Sequence, residues 1–135
     1  GADMMIKRTV FEKVGGFTEI FFMYYEEPDV CSRIKKAGFA VHSVPEARII
    51  HFEGGATHLN TVFDKPSKFF FISSQLAYSK LHLKLLYPVL WAIHFGKSAL
   101  AYSVYSLKKN QRRKVYWLNY LFTVCGKPLP AGASK

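Results

Sequence analysis

The segment FFMYYEEPDVCSRIKKAG, residues 21–38, places a cluster of aromatic side chains directly before three carboxylates. Clustered carboxylates repel one another, and beside apolar side chains they also lose hydration. Their position therefore needs a physical reason. Basic residues follow them, and Gly38 closes the segment. Proline is favoured at the first helical position, and cations in the last turn interact favourably with the helix dipole. The pattern therefore predicts a helix that begins near Pro28 and ends before Gly38.

The three carboxylates have both structural and catalytic interpretations. Asp29 and Arg33 are four residues apart, so they can form a structural ion pair on one face of the helix. Glu26 and Glu27 lie at the predicted N-terminus, where the helix dipole favours negative charge and both can act as caps. Pro28 disfavours the helical conformation of the residue before it, which predicts that Glu27 lies just outside the helix. A carboxylate held there against aromatic rings can also act as a general base.

The rest of the first half predicts a short helix and three strands. Thr9 and Glu12 match a capping box for a helix over residues 9–16, and Gly15 or Gly16 suits its end. Short apolar runs bounded by turn residues are typical of strands. The predicted strands are ADMMIKR (2–8), FAVHSV (39–44) and ARIIHF (47–52).

The second half predicts helices only. Few helix breakers occur after Pro66, and the apolar runs have helical length. The predicted helices span about 66–83, 85–107 and 112–124. The fold class is therefore α/β, an α+β fragment joined to a helical tail, with a boundary between Asn60 and Pro66. We divide the chain into residues 1–63 and residues 64–135.

The charge of the chain is concentrated in its second half. The net charge is +10. Residues 1–63 carry seven Lys or Arg and eight Asp or Glu, whereas residues 64–135 carry twelve Lys or Arg and a single acid, Asp64. This asymmetry predicts an acidic partner such as nucleic acid, an anionic membrane surface or a phosphorylated substrate. The two cysteines, Cys31 and Cys125, are far apart, which argues against a disulfide scaffold or a zinc knuckle.

The apolar segment LLYPVLWAIHFGKSALAYSVYSL, residues 85–107, has about the length of a membrane span but contains Pro88, His94 and Lys97. The run KKNQRRK follows it, and then VYWLNYLF, which has interfacial aromatic residues. Together they predict helices that lie on an anionic membrane surface. Ordinary helix packing with a solvated cationic loop is the alternative. Nucleic acid is not expected as a partner, because it does not account for the apolar helices and no nucleic-acid motif occurs.

The segment GGFTEIFFMYYEEPDVCSRIKKAGFAVHSVPEARIIHFEGGAT, residues 15–57, resembles the C-terminal part of the catalytic domain in family 2 glycosyltransferases. The resemblance is to the bacterial rhamnosyltransferase-like branch and covers about residues 1–60. That branch has a GGFDE segment, then FFMYxEDxDLCxR, a basic helix that ends in glycine, and VPxAxxxH with a glycine pair. This chain departs from the pattern at Thr18 and Glu27, where the family usually has Asp, and at Pro28.

The resemblance implies a GT-A fold and an inverting, hexosyltransferase-type reaction. The donor would be a nucleotide-diphosphate sugar, and the acceptor a glycan or lipid-linked sugar in surface polysaccharide synthesis. Glu27 matches the catalytic base of the family, and Glu26 matches the residue before it, which helps to hold the acceptor. His51 matches the histidine of a divalent metal site for Mn²⁺ or Mg²⁺, whose further ligands would lie outside this chain. The other four histidines have no recognisable ligand spacing.

A nucleotide-binding half is expected outside this chain, because no DxD-type motif occurs in it. The chain alone is then expected to be inactive. The expected location is cytoplasmic and peripheral, on the inner face of the cell membrane. The alternative function is a non-catalytic helical module that binds a membrane surface or a polyanion.

Overall fold

The computed structural model of the protein describes residues 3–50 and 67–127. The chain divides into two compact units, unit 1 at Gly1–Asp64 and unit 2 at Lys65–Lys135. The described part of unit 1 contains two helices, and that of unit 2 contains three. These helices are α1 Arg8–Lys13, α2 Glu26–Lys36, α3 Ser67–His82, α4 Tyr87–Leu107 and α5 Gln111–Val124.

The α/β prediction is wrong for the described residues, which contain no strand. Residues 39–44 and 47–50 form no regular secondary structure, and residues 51 and 52 of the third predicted strand lie outside the described part. A strand needs a neighbour whose backbone groups pair with its own, and the described residues provide none. Val44 and Ile50, at 63% and 83% exposure, also lack a surface to pack against.

Helix α1 begins at Arg8, so the predicted capping box is wrong. Its N-cap is Lys7, which makes no side-chain cap hydrogen bond. Glu12 is instead paired with Arg8, whose Nε lies 2.8 Å from Glu12 Oε1. The chain leaves α1 through Gly15 and Gly16, at φ +79° and +70°, a conformation that glycine adopts without steric cost.

Helix α2 begins at Glu26, two residues before the predicted start, so Glu27 is helical and the prediction that it lies outside the helix is wrong. The first turn leaves its backbone N–H groups without intrahelical partners, so proline is tolerated at its third position. The first helical hydrogen bond runs from Asp29 N to Tyr25 O, at 3.0 Å. At the other end Gly38, at φ +85°, closes the helix, and Phe39 N donates to Ile34 O.

Unit 2 packs its three helices around an apolar core, and their bounds lie within two residues of the predicted ones. Helix α4 contributes partly buried side chains to this core, and its Trp91 Nε1 donates to Val124 O at 3.2 Å. Burial of one large apolar side chain stabilises the folded state by about 1.5–3 kcal/mol. The buried core residues are Phe69, Ile72, Leu76, Tyr120 and Val124.

The turn between α4 and α5 carries Lys108 and Lys109, and the other three cations of the basic run lie at the start of α5. Lys109 has a left-handed backbone at φ +52°, and the side chain of Asn110 caps α5 by accepting from Arg113 N at 3.1 Å. Within residues 3–50 and 67–127, no helix has both the length and the apolar character needed to cross a membrane.

Candidate functional site

The backbone that leads into α2 is strained. Tyr24 and Tyr25 both have left-handed backbones, at φ +69° and +70°. A non-glycine residue in this region costs about 1–3 kcal/mol, and such strain is concentrated at functional sites because the surrounding structure must maintain it. Phe21, at 7% exposure, anchors the segment before these tyrosines. The turn delivers two glutamates to the first turn of α2.

Glu26 and Glu27 are both half-buried at this helix N-terminus. Neighbouring residues of an α-helix are about 100° apart, so the two carboxylates point in different directions. Glu26 Oε2 is buried and has no hydrogen-bond partner among the described residues. A buried carboxylate oxygen in this state costs free energy and is available to accept a hydrogen bond from a hydroxyl group.

The structure brings Asp29 and Arg33 together. Asp29 is 1% exposed, and its Oδ2 lies 2.9 Å from Arg33 Nε and 2.8 Å from Arg33 Nη2. The same oxygen accepts a third hydrogen bond, from Thr18 Oγ1 at 2.6 Å. A buried carboxylate is tolerated when it is both paired and hydrogen-bonded in this way.

Arg33 also fixes α2 to the chain that follows α1. Its Nη1 donates to Val14 O, and its Nη2 donates to Gly16 O at 2.6 Å. The guanidinium therefore connects a carboxylate of the first turn of α2 with two carbonyl groups at the end of α1. This network holds the first turn of α2, and with it Glu26 and Glu27, in one position.

Sequence reasoning did not find the role of Thr18. Its hydroxyl donates to Asp29 Oδ2, which an ionised aspartate at position 18 cannot do. The departure of Thr18 from the family pattern was the one sign in the sequence that this residue has a special role. Thr18 and Asp29 are 11 residues apart, so no rule of local helix spacing predicts that they make contact.

The predicted metal ligand, His51, lies outside the described residues. Residues 3–50 and 67–127 contain no group of three or more His, Cys, Asp or Glu side chains that could hold a metal ion. Asp29, the most buried carboxylate, is already engaged by Arg33 and Thr18. The metal site therefore stays a prediction.

A second polar cluster lies in unit 2, and each of its helices contributes one residue. His94 Nδ1 is 2.7 Å from Tyr120 Oη, and His94 Nε2 is 3.1 Å from Gln75 Oε1. An amide oxygen can only accept, so Nε2 carries the proton and Nδ1 accepts from the tyrosine hydroxyl. Burial and the nearby charge of Lys97 lower the pKa of His94 from 6.5. His94 has no recognisable ligand spacing in the sequence, and in the structure it links the three helices.

No protein-family model and no solved structure matches the chain. It is 39% identical over 57 residues to N-acetylglucosaminyl-diphospho-decaprenol L-rhamnosyltransferase of Mycobacterium tuberculosis, which is 42% of this chain and 19% of the relative. It is 38% identical over 63 residues to rhamnosyltransferase WbbL of Escherichia coli, which is 47% of this chain and 23% of the relative. It is also 39% identical over 51 residues to the low-salt glycan biosynthesis hexosyltransferase Agl10 of Haloferax volcanii, which is 38% of this chain and 17% of the relative.

The chain thus spans about a fifth of the length of the curated relatives that it matches. All three relatives are named as rhamnosyl- or hexosyltransferases. These similarities support a glycosyltransferase family for this chain.

Proposed function

We propose that this chain is the acceptor side of an inverting glycosyltransferase, and that the GT-A fold belongs to the complete catalytic domain of that enzyme. The observation that carries the proposal is the pair of half-buried carboxylates, Glu26 and Glu27, in the first turn of α2. The strained tyrosines before them and the Asp29–Arg33 network behind them give the positional control that a catalytic group needs. The partial similarity to rhamnosyl- and hexosyltransferases supports the reaction class.

Glu27 is the proposed general base. Its carboxylate takes the proton from an acceptor hydroxyl while the hydroxyl oxygen forms a bond to the anomeric carbon of the donor sugar. The bond between that carbon and the diphosphate breaks on the opposite face, and the diphosphate leaves with the electron pair. A positioned base contributes about 10²–10⁴-fold in rate. Because both glutamates are helical, the choice of Glu27 rests on the family register and no longer on its backbone conformation.

Glu26 is the proposed acceptor-binding residue. Its buried Oε2 accepts a hydrogen bond from a second hydroxyl of the acceptor, which orients the attacking hydroxyl. The proposed acceptor is a glycan or lipid-linked sugar, since one relative is named for a decaprenol-linked substrate. The proposed setting is surface polysaccharide synthesis at the cytoplasmic face of the cell membrane.

The donor is bound mainly by residues outside this chain, so the chain alone is inactive. His51 would be one ligand of a divalent metal, Mn²⁺ or Mg²⁺, whose other ligands would lie outside this chain. When bound, such a metal would supply positive charge to stabilise the leaving diphosphate.

The test is a transfer assay on the full-length gene product that contains this chain, with a panel of nucleotide-diphosphate sugars. Glu27→Gln keeps the shape and removes the base, so turnover falls at least about 10²-fold while donor affinity stays nearly unchanged. Glu26→Gln has a milder effect, and the exposed Glu19→Gln is the matched control with wild-type turnover. Near-normal turnover of Glu27→Gln with an inactive Glu26→Gln would transfer the role of base to Glu26.

A second candidate function is a non-catalytic module that binds a membrane surface or a polyanion. It is favoured by the composition of unit 2, which has twelve Lys or Arg and no Asp or Glu. Failure of the full-length protein to transfer any sugar, together with retained binding to anionic vesicles, would favour this function over the first.

A further inference from the structure

Helix α4 carries a row of large apolar side chains that face solvent. Leu86, Val89, Ile93, Leu100 and Leu107 follow one another at helical spacing and are exposed by 52%, 54%, 59%, 69% and 84%. We call these five residues the α4 face. Over its 21 residue steps the face is about 32 Å long, at about 1.5 Å per residue. An apolar surface of this length marks an interaction site.

The side of α4 that carries this face has one charged residue, Lys97. The other exposed residues between the large apolar ones are small or apolar: Pro88, Ala92, Gly96 and Ser103. Lys97 Nζ lies 6.0 Å from the centroid of the Trp117 ring on α5. Lysine keeps an apolar stem along such a surface while its charged end reaches the polar layer.

Cations lie at both ends of the α4 face. Lys80 and Lys84 precede it and are exposed, and so are Lys108 and Lys109 in the turn after it and Arg112 at the start of α5. The next two cations of the basic run contact tyrosine rings, since Arg113 Cζ is 5.3 Å from the Tyr105 ring centroid and Lys114 Nζ is 5.7 Å from that of Tyr102. Among the described residues, Lys108, Lys109 and Arg112 make no such ring contact, which leaves them accessible to an anionic surface.

We propose that the α4 face lies in the interface of an anionic lipid bilayer, with its flanking cations at the level of the lipid phosphates. A helix that presents apolar side chains to the acyl boundary and cations to the headgroups has the chemistry of an interfacial helix. A second copy of this chain is not expected to cover the α4 face, because unit 2 has twelve Lys or Arg and no Asp or Glu, and two such units would repel each other. Nucleic acid matches the cations but leaves the apolar row exposed to water.

This proposal rests on unit 2 alone and does not depend on the proposed transferase function. The two can also fail separately, because sugar transfer to a water-soluble acceptor needs no vesicle and vesicle binding needs no donor sugar.

The experiment is flotation of the chain with vesicles of phosphatidylcholine alone or mixed with phosphatidylglycerol. We expect binding to the anionic vesicles, much weaker binding to neutral ones, and release of most protein at high salt. The triple variant Val89→Ser, Ile93→Ser, Leu100→Ser should bind at least about tenfold more weakly. Its matched control changes three exposed apolar residues of unit 1, Met5→Ser, Ile20→Ser and Val44→Ser, and should bind like the wild type.

The contribution of charge is tested with Lys108→Gln, Lys109→Gln and Arg112→Gln in one variant. It should lose at least about tenfold in binding to anionic vesicles, and more at low salt than at high salt. Its control replaces three exposed cations of unit 1, Lys7, Lys35 and Arg48, with Gln. Circular dichroism verifies that each variant keeps its helix content.

Three results would overturn the proposal. Vesicle binding that the α4 face variant does not weaken would show that another surface docks. Equal affinity for RNA and for anionic vesicles, both insensitive to that variant, would identify a polyanion module. A dimer in analytical ultracentrifugation that the variant dissociates, without vesicle binding, would assign the face to contact between copies.

Discussion

The Asp29–Arg33 network makes a strong prediction for Arg33→Met. Met fills much of the space of the arginine stem but removes every hydrogen bond of the guanidinium. Asp29, with a side chain 2% exposed, would lose both hydrogen bonds from the guanidinium and keep the one from Thr18, and the carbonyl groups of Val14 and Gly16 would lose their shared donor. The variant therefore removes the cation that is paired with a buried carboxylate.

The expected cost is about 3–5 kcal/mol, which is typical of breaking a buried ion pair on one side. The Arg33 side chain is 23% exposed, so water reaches part of it and the lower end of this range applies. A cost of this size raises the population of the locally unfolded state by at least about 10²-fold. Asp29→Asn combined with Arg33→Met should cost less than Arg33→Met alone, because it also removes the buried negative charge that Arg33 compensates.

The assay is amide hydrogen exchange measured by mass spectrometry on peptides that cover α2. Both tryptophans, Trp91 and Trp117, lie in unit 2, so their fluorescence monitors that unit separately and should not change. The matched control is Lys35→Met on the same helix, an exposed change expected to stay within about 0.5 kcal/mol of the wild type. Exchange in Arg33→Met within threefold of the wild type, or a double variant no more stable than the single one, would show that the Asp29–Arg33 pair does not stabilise α2.

The remaining predictions concern the donor and pH. Calorimetry of this chain with UDP-, GDP- and dTDP-sugars and Mn²⁺ should give no measurable binding. Micromolar affinity for any of these sugars would contradict the proposal that the donor-binding residues lie mainly outside the chain. For unit 2, the pKa of His94 is lowered from 6.5 by burial and by Lys97, so below pH 6.5 the unfolded chain takes up a proton that the folded chain does not. The free energy of unfolding, followed by tryptophan fluorescence in urea, should be constant from about pH 7.5 to about pH 9 and should decrease as pH falls below 6.5. Unit 2 has no Asp or Glu, so this slope should largely disappear in His94→Gln, and its persistence would assign the slope to another group.

The tertiary contacts of both units explain why some expectations from the sequence were accurate and others were not. Local signals predicted α2 and the three helices of unit 2 to within about two residues. For α2 the signals were Pro28 and Gly38, and for the three helices of unit 2 they were apolar runs of helical length with few breakers. The exact start of α2 was wrong, since Pro28 suits any position in the first turn and the local rule does not choose among them. The strands were wrong, since a strand depends on a partner that its own residues do not specify.

Spacing and composition specify the local features of this protein. The four-residue spacing of Asp29 and Arg33 places them on one helix face, and composition alone locates the positive charge in unit 2. Partners that are distant along the chain follow only from the packing of the helices: Thr18 for Asp29, Val14 and Gly16 for Arg33, and Gln75 and Tyr120 for His94. That packing also turns the α4 face to solvent, because the other sides of that helix pack on α3 and α5. Hydrogen bonds within one turn follow from spacing, whereas those between helices depend on how the helices pack, and packing is a property of the whole fold.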